Sequence, residues 1–295
     1  MLTRRTLLVA AGPVAMGPGR ARAEDQVEPA AERAQARFAA LEAASGGRLG
    51  VQVRDTGTGA TFGYRADERF PLCSTFKLLA AGAVLARVDA GAESLERRIA
   101  YGPADLVEYS PTTQPRLGEG AMALGALCEA AITLSDNTAA NLILATLGGP
   151  AGLTRFLRSL SDSVTRLDRT EPTLNEALPG DPRDTTTPAA MLATTEALTL
   201  GTALTPASRA ILVGWLRANR TGDTRLRAQL PEGWRVGDKT GSGERGTAND
   251  VGLLWPPDGA PILVAVYLTG TQAPPALRNA TIAEVGRAVA ASRGR

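Results

Sequence analysis

The sequence predicts an α/β (α+β) fold of two lobes, an antiparallel sheet flanked by helices with an all-helical lobe inserted into it. Three observations carry this. Strand patterns occur only toward the two ends of the chain, between Arg48 and Arg65 and between Trp234 and Thr269. The middle, from Asp67 to about Gly214, reads as successive helices. Helical segments also stand at both ends, Glu28 to Ala44 and Ala276 to Ser292. Joining strands from both ends into one layer, covered by the terminal helices, buries the most apolar surface. The expected lobes are residues 24–66 with 219–295, and residues 67–218. A groove between them is where a small substrate would lie.

Taken in order, Glu28 to Ala44 is rich in Ala, Glu and Arg, with Phe38 and Leu41 at helical spacing, and Ser45-Gly46-Gly47 closes it. Arg48 to Asp55 alternates Leu49, Val51 and Val53, a strand; Gly57-Thr58-Gly59 turns it into Ala60 to Arg65, the second arm of a hairpin. Leu78 to Val88 is an apolar helix. Ala100 to Gly120 is polar and contains proline. Met122 to Leu134, Thr138 to Leu147 and Ala151 to Leu160 are helices, with Ser135-Asp136-Asn137 capping the second and Gly148-Gly149 ending it. Arg166 to Thr187 has no periodicity and is rich in charge and proline; a loop of that length in a compact domain is functional or disordered. Pro188 to Leu200 and Pro206 to Ala218 are helices, each with a proline suited to the first position. Trp234 to Thr240, Val251 to Trp255 and Ile262 to Thr269 are strands, and Pro256 to Pro261 is a turn.

Composition excludes several chemistries. The 295 residues contain no histidine, so no Ser-His-Asp triad, histidine base or histidine-ligated metal is possible. Cys73 and Cys128 are too few for a disulfide framework or a thiolate zinc site; they could form one bridge with each other, but read rather as two free thiols behaving as small apolar core residues. Residues 1–23 read as a signal peptide: Arg4-Arg5, apolar Leu7 to Ala11, and Ala21-Arg22-Ala23 at the expected cleavage point. Thr3-Arg4-Arg5-Thr6-Leu7-Leu8 loosely resembles a twin-arginine signal, so either export route stays open. The apolar run is too short to span a bilayer and no lipoprotein cysteine follows it, so a periplasmic protein without a stable membrane anchor is expected. Losing the four arginines of the leader takes Lys+Arg from 32 to 28 against 30 acids, about −2, which leaves no global basic field for nucleic acid.

Ser74-Thr75-Phe76-Lys77 stands at the mouth of the first apolar helix. At helical spacing the serine and lysine share a face, so the amine can take or relay the hydroxyl's proton, and backbone N–H groups at a helix start can stabilise an oxyanion. The alternative is Ser74 as a helix cap and Lys77 as a solvated charge. Ser135 can likewise be a cap, Asn137 a local turn former, Lys239 an edge-strand charge, Tyr109 a packing aromatic and Arg225 a surface arginine.

Four elements stand in order: Ser74-Thr75-Phe76-Lys77, Ser135-Asp136-Asn137, Glu171-Pro172-Thr173-Leu174-Asn175 and Lys239-Thr240-Gly241. Together with Tyr109-Ser110-Pro111, Ala131-Ile132-Thr133-Leu134 and Arg166-Leu167-Asp168-Arg169, they resemble a class A serine β-lactamase over nearly all the chain past the leader. The resemblance implies a five-stranded sheet and the following roles. Ser74 attacks the lactam carbonyl and forms an acyl-enzyme. Ser135 passes a proton to the departing nitrogen. Glu171, with Asn175, activates the water that hydrolyses the ester. Lys77 or Glu171 is the base for acylation, and both remain open. Asn137 bonds the substrate side-chain amide; Lys239, Thr240 and Ser242 bind its carboxylate; and the N–H groups of Ser74 and Ser242 form the oxyanion hole. Gly241 and Gly243 would let backbone approach substrate closely, and Tyr109 would wall the site. Residues of about 166–184 would form the Ω-loop, pinned by Arg169 and Asp184, with Glu171-Pro172 a candidate cis peptide.

Departures from the family refine this. The arginine often found past Lys-Thr-Gly is here Ala248, and Arg225 matches the alternative arginine of some members. Gly243 and Ala81 stand where partners for Cys73 and Cys128 would be, so both thiols are expected free. The Ser242-Gly243-Glu244 edge resembles that of enzymes accepting bulky cephalosporins. The expected partners are β-lactams and water, with no metal or organic cofactor, and the expected state is a monomer. The rival readings are a penicillin-binding D,D-peptidase and a β-lactam sensor that stays acylated; an intact Glu171 argues against both.

Overall fold

The computed structural model describes the backbone of residues 18–293 and the side chains of residues 31–293. The N-terminal part of the expected leader, residues 1–17, lies outside the described residues. Helix α1 (Pro18–Ser45) starts ten residues before the predicted Glu28 and runs through the expected cleavage position at Ala23. Pro29 lies within this span, where a proline ordinarily marks the first turn of a helix, so the local sequence favours a start near Glu28. No helix among the described residues is long and apolar enough to cross a membrane.

After α1 come strands β1 (Arg48–Asp55), β2 (Thr61–Tyr64) and β3 (Phe70–Pro71), a 3-10 turn at Cys73–Thr75 and helix α2 (Phe76–Asp89). Strands β4 (Arg98–Ala100) and β5 (Ala121–Ala123) bracket the polar segment. Helices α3 (Leu124–Thr133), α4 (Asn137–Thr146) and α5 (Gly149–Ser159) follow, then β6 (Thr185–Thr186), α6 (Pro188–Thr199) and α7 (Pro206–Arg217). Strands β7 (Arg235–Ser242), β8 (Ala248–Trp255) and β9 (Ile262–Thr269) and helix α8 (Pro275–Ser292) complete the chain. Sequence patterning missed β3 with β6 and β4 with β5, which pair as two-stranded ribbons too short to show a period.

The principal sheet has five strands in the order β2-β1-β9-β8-β7, all antiparallel, as expected. Its centre joins the two chain ends: β1 pairs β9 along its whole length, Arg48 opposite Thr269 to Asp55 opposite Ile262. Strand β9 shows how both faces are filled. Ile262, Val264, Val266 and Leu268 face a cluster with Phe38 of α1 and Ile282, Val285 and Val289 of α8. Leu263, Ala265 and Tyr267 face the larger cluster that also holds the buried side of α2. The alternation follows from the two-residue period of a strand. In strand β1, Gly50 and Gln52 are buried along with the alternating Leu49, Val51 and Val53. A Cβ at Gly50 would collide with Phe70 and Pro188, so that glycine lets α6 and β3 close over the sheet.

Caps behave as their residue types require. Thr187 and Thr205 accept from the N–H groups of Ala190 and Ser208 at 3.1 and 3.3 Å, each ahead of a proline in the first turn. Asp136 caps α4, accepting from Ala139 N at 2.8 Å. Helix α4 stops at Gly148, in the left-handed region with φ 84°. Both cysteines are free and buried.

Candidate active site

Ser74 does not cap α2. It lies within the 3-10 turn that leads into the helix, after Cys73 with φ 43°, and no side chain caps this start. Its Oγ donates instead to Glu171 Oε1 at 3.1 Å. The turn is held from behind: Thr75 Oγ1 donates to Leu72 O at 2.7 Å and lies 3.1 Å from the buried Tyr267 hydroxyl. Asn249 Nδ2 donates to the carbonyls of Pro71 and Leu72 at 2.9 and 3.2 Å.

Lys77, one turn on, is fully buried. Its Nζ donates to Asn137 Oδ1 at 2.6 Å and Ser135 O at 2.8 Å, reaches Ser135 Oγ at 3.4 Å, and pairs with Glu171 Oε1 at 3.0 Å. One carboxylate oxygen thus touches both the serine hydroxyl and the lysine amine. Burial pushes the Lys77 amine below its ordinary range, against the pull of the Glu171 charge. A lysine so placed gives up its proton more readily than a free one.

Ser135 has φ 59° at the junction of α3 and α4. Its Oγ accepts from Lys239 Nζ at 3.1 Å, and a hydroxyl that accepts there can still donate its own proton. Because Asp136 does the capping, Ser135 is spared that task. Asp136 also accepts from the N–H groups of Thr112 and Thr113 at 2.8 and 2.9 Å, tying the Tyr109–Thr113 loop to α4. Asn137 Nδ2 donates to Glu108 O at 2.9 Å, and its backbone N–H to Tyr109 O at 3.0 Å. Tyr109 itself is 58% exposed with φ 62°, an aromatic wall on the groove rather than core packing.

Glu171 comes from the long loop, and the Glu171-Pro172 bond is cis, as expected. Its Oε2 accepts from Asn175 Nδ2 at 2.5 Å, and Asn175 Oδ1, buried beside it, has no partner among the described residues. The loop is tied at its neck. Arg169 Nε donates to Asp184 Oδ2 at 2.6 Å, and Asp184 Oδ1 accepts from the N–H groups of Asp168 and Arg169 at 2.8 and 2.9 Å. Sequence reasoning missed a second clamp. Asn141 Oδ1 accepts from Glu171 N and its Nδ2 donates to Glu171 O, both at 2.9 Å. Its signal was present: an asparagine inside an apolar helix, four residues past Asn137, where its intrinsic propensity is poor.

The opposite wall is β7, the edge strand. Lys239 is fully buried and donates to Ser135 Oγ at 3.1 Å and Thr240 O at 2.8 Å, so it is not a solvated edge charge. Burial, then repulsion from Lys77, holds its amine well below the ordinary lysine range. Thr240 Oγ1 lies 2.5 Å from Thr221 Oγ1. Gly241 and Gly243 serve protein packing: a Cβ at 241 would sit 3.1 Å from Leu72 O and 3.3 Å from Cys73 Cβ, and one at 243 would sit 2.6 Å from Cys73 Sγ. They let the strand end close on the turn that carries Ser74, and Gly241 also lines the groove.

Arg225 is 8% exposed, not a surface arginine. Nη1 donates to Gly241 O and Asn249 O, both at 2.7 Å, Nη2 donates to Ser242 Oγ at 2.7 Å, and Nε donates to Asn279 Oδ1 at 3.0 Å. With Ala248 buried at the usual arginine position, Arg225 fills the back of this wall and reaches the groove through the Ser242 hydroxyl. Beneath it, Asp238 accepts from Arg227 Nη2 at 2.5 Å and Asn219 Nδ2 at 2.7 Å, a buried support that sequence patterning also missed.

These walls enclose a groove of about 510 Å³ lined by Ser74, Tyr109, Ser135, Asn137, Asn175, Thr240, Gly241 and Ser242, with Arg220, Thr221 and Arg225 at one end. Lys77 and Glu171 stand behind Ser74. The arrangement offers a hydroxyl on a carboxylate that is itself paired with an amine, a second hydroxyl on a cation, and a wall of hydroxyls backed by cations at one end.

A sequence profile described as the Beta-lactamase enzyme family matches residues 33–292. Beta-lactamase AST-1 of Nocardia asteroides is 52% identical over 261 residues, 88% of this chain and 84% of that protein. Among solved structures, the class A β-lactamase of the last common ancestor of Gram-negative bacteria is 65% identical, with a TM-score of 0.87 over 88% of this chain and 99% of that one. The putative class A β-lactamase PenP from Rhodopseudomonas palustris is 62% identical, with a TM-score of 0.86 over 88% and 98%.

Proposed function

The chain belongs to the beta-lactamase enzyme family, in its class A, and hydrolyses β-lactams; we propose that it does so through an acyl-enzyme on Ser74, resolved by water that Glu171 activates. The observation that carries this is the placement of Glu171, with Oε1 3.1 Å from the nucleophile and Oε2 2.5 Å from Asn175. A water between Glu171 and the unpaired Asn175 Oδ1 would face the ester from the loop side, within reach of a base.

In acylation, Ser74 Oγ bonds to the lactam carbonyl carbon and its proton passes to Glu171 Oε1, which it already contacts; the direct contact favours this route over transfer to Lys77. The carbonyl oxygen gains charge against the N–H groups of Ser74 and Ser242, at the start of a helical turn and the end of β7. Ser135, polarised by Lys239, gives its proton to the lactam nitrogen as the C–N bond breaks, and the proton held by Glu171 passes through Lys77, 3.0 Å from Glu171 Oε1 and 3.4 Å from Ser135 Oγ, to restore the Ser135 hydroxyl and leave Glu171 ionised. In deacylation, Glu171 takes a proton from water, the hydroxide adds to the ester carbonyl, and Ser74 leaves with a proton returned through Lys77 and Glu171. Asn137 and Asn175 face the acylamino side of the substrate. Thr240 and Ser242, backed by Lys239 and Arg225, face its carboxylate, and Tyr109 closes the mouth.

Penicillins and cephalosporins fit this groove as substrates. The protein acts as a monomer in the periplasm after cleavage near Ala23, with the groove formed where residues 67–218 meet 24–66 and 219–295. The test is a chromogenic cephalosporin with the purified protein, followed by turnover and by intact mass. Rapid multiple turnover is expected, with Glu171→Ala accumulating a covalent adduct on Ser74. A stable adduct on the unaltered protein would instead support the peptidase or sensor reading.

A further inference from the structure

The groove does not end at the carboxylate wall. A second groove of about 500 Å³ adjoins it, lined by Thr112, Arg116, Glu129, Thr133, Leu134 and Arg220 among others. Arg220 lines both grooves, and the chain neighbours Leu134 and Ser135 line one each. The junction therefore lies beside Ser135 and Thr221, on the side of the site that receives the lactam nitrogen and the carboxylate.

The cations here differ sharply. Lys239 is fully buried, and Arg225 is nearly so, with every nitrogen bonded to protein. Arg116 is paired with Glu119 at 2.8 Å. Arg220 is exposed, and its guanidinium has no ion pair or hydrogen bond among the described residues. Its backbone is fixed: its N–H donates to Thr133 O at 2.9 Å, and Thr221 Oγ1, next in the chain, bonds Asn219 Oδ1 at 2.8 Å. A held backbone carrying an uncommitted guanidinium at the meeting of two grooves is placed to read an anion. Glu129, exposed on the second groove, disfavours an anion farther along.

We propose that Arg220 and the groove beyond it form a subsite for an acidic substituent on the carboxylate side of the fused-ring β-lactam, so that Arg220 is a specificity-determining residue for doubly anionic substrates. The inference rests on the carboxylate wall assigned above. An exposed charge pair contributes up to about 1 kcal/mol, roughly fivefold in affinity, and is screened by salt.

The experiment uses two cephalosporins with the same acylamino group and C3 substituents of equal length, one ending in a carboxylate and one in a neutral amide. With Arg220→Ala, KM for the acidic congener should rise about fivefold and that for the neutral one less than twofold, with kcat unchanged. Arg220→Lys should retain most of the preference, and raising salt should erase it in the unaltered enzyme. The exposed side chain has no partner to lose, so folding should survive. If both congeners are turned over and Arg220→Ala shifts their KM values equally or not at all, the subsite is refuted while the catalytic reading stands. If the unaltered enzyme turns over neither, both fail.

Discussion

Replacing Asn141 with leucine removes the clamp on Glu171 while keeping the side chain's approximate size. Two hydrogen bonds of 2.9 Å disappear, and the N–H and C=O of Glu171, a residue only 3% exposed, lose their partner. An unsatisfied buried polar group costs about 1–3 kcal/mol, so the pair should lower stability by about 3 kcal/mol. For a domain of this size that lowers Tm by roughly 6–12 °C. The catalytic effect is separate. Glu171 must hold both Ser74 and the water, and a displacement of about 1 Å can cost a hundredfold in rate. Stopped-flow mixing with a chromogenic cephalosporin, well below the lowered Tm, should show a burst near one equivalent and then slow turnover. If Tm falls as stated but kcat stays within about threefold of the unaltered enzyme, the clamp stabilises the loop without positioning the base, and the reasoning is wrong.

Asp184→Asn leaves the buried end of Arg169 without its charge; the expected cost is about 3 kcal/mol, seen as faster proteolytic nicking within residues 166–184. Arg225→Ala should raise KM for penicillins and cephalosporins about tenfold by freeing the Ser242 hydroxyl, and Arg225→Lys should not restore it, because one ammonium cannot span Gly241 O, Asn249 O and Ser242 Oγ; an unchanged KM in steady-state assays refutes the role. Asp250 is fully buried, and burial followed by the neighbouring Asp238 charge raises its carboxyl well above the ordinary range. The folded state therefore holds this proton more tightly than the unfolded chain, and the stability this contributes is lost as pH rises from about 4 through the folded value. Asp250→Asn should raise Tm at neutral pH and make little difference near pH 4; thermal melts across that range check the sign.

The elements with a clear period were legible in the sequence. Strand β9 and the apolar face of α2 follow from repeating hydrophobic positions, and the starts of α6 and α7 from Pro188 and Pro206. That Ser74, Lys77, Ser135 and Glu171 come together was also legible, because each lies in a short motif with its own chemical residue types. Side chains whose work is to hold another residue were not. Asn141, Asn249 and Asp238 act across long stretches of chain, and nothing local distinguishes a clamping asparagine from a solvated one until the fold brings its partner near. Gly241 lines the groove, and the third dimension adds a second demand on it that no local pattern shows: Leu72 and Cys73 fill the space where a Cβ would stand. The early start of α1 was illegible for another reason: Pro29 reads as a first-turn residue, and residues 18–28 before it have no apolar period.

The pairing of β1 with β9 also governs when the molecule can exist. During synthesis the strand from the beginning of the chain waits for residues 262–269 before its central neighbour arrives. More than two hundred residues separate the two, so the sheet closes late, and contacts of such range slow folding. Until then the apolar flank of β1 is an open edge, able to add a strand from any passing chain. A chain cut before Ile262 would retain Ser74, Glu171 and Lys239 and still lack the strand that joins the first half of its sheet to the second. The interval before closure is when aggregation competes with folding, and a protease or chaperone acting in that interval would control how much enzyme is made.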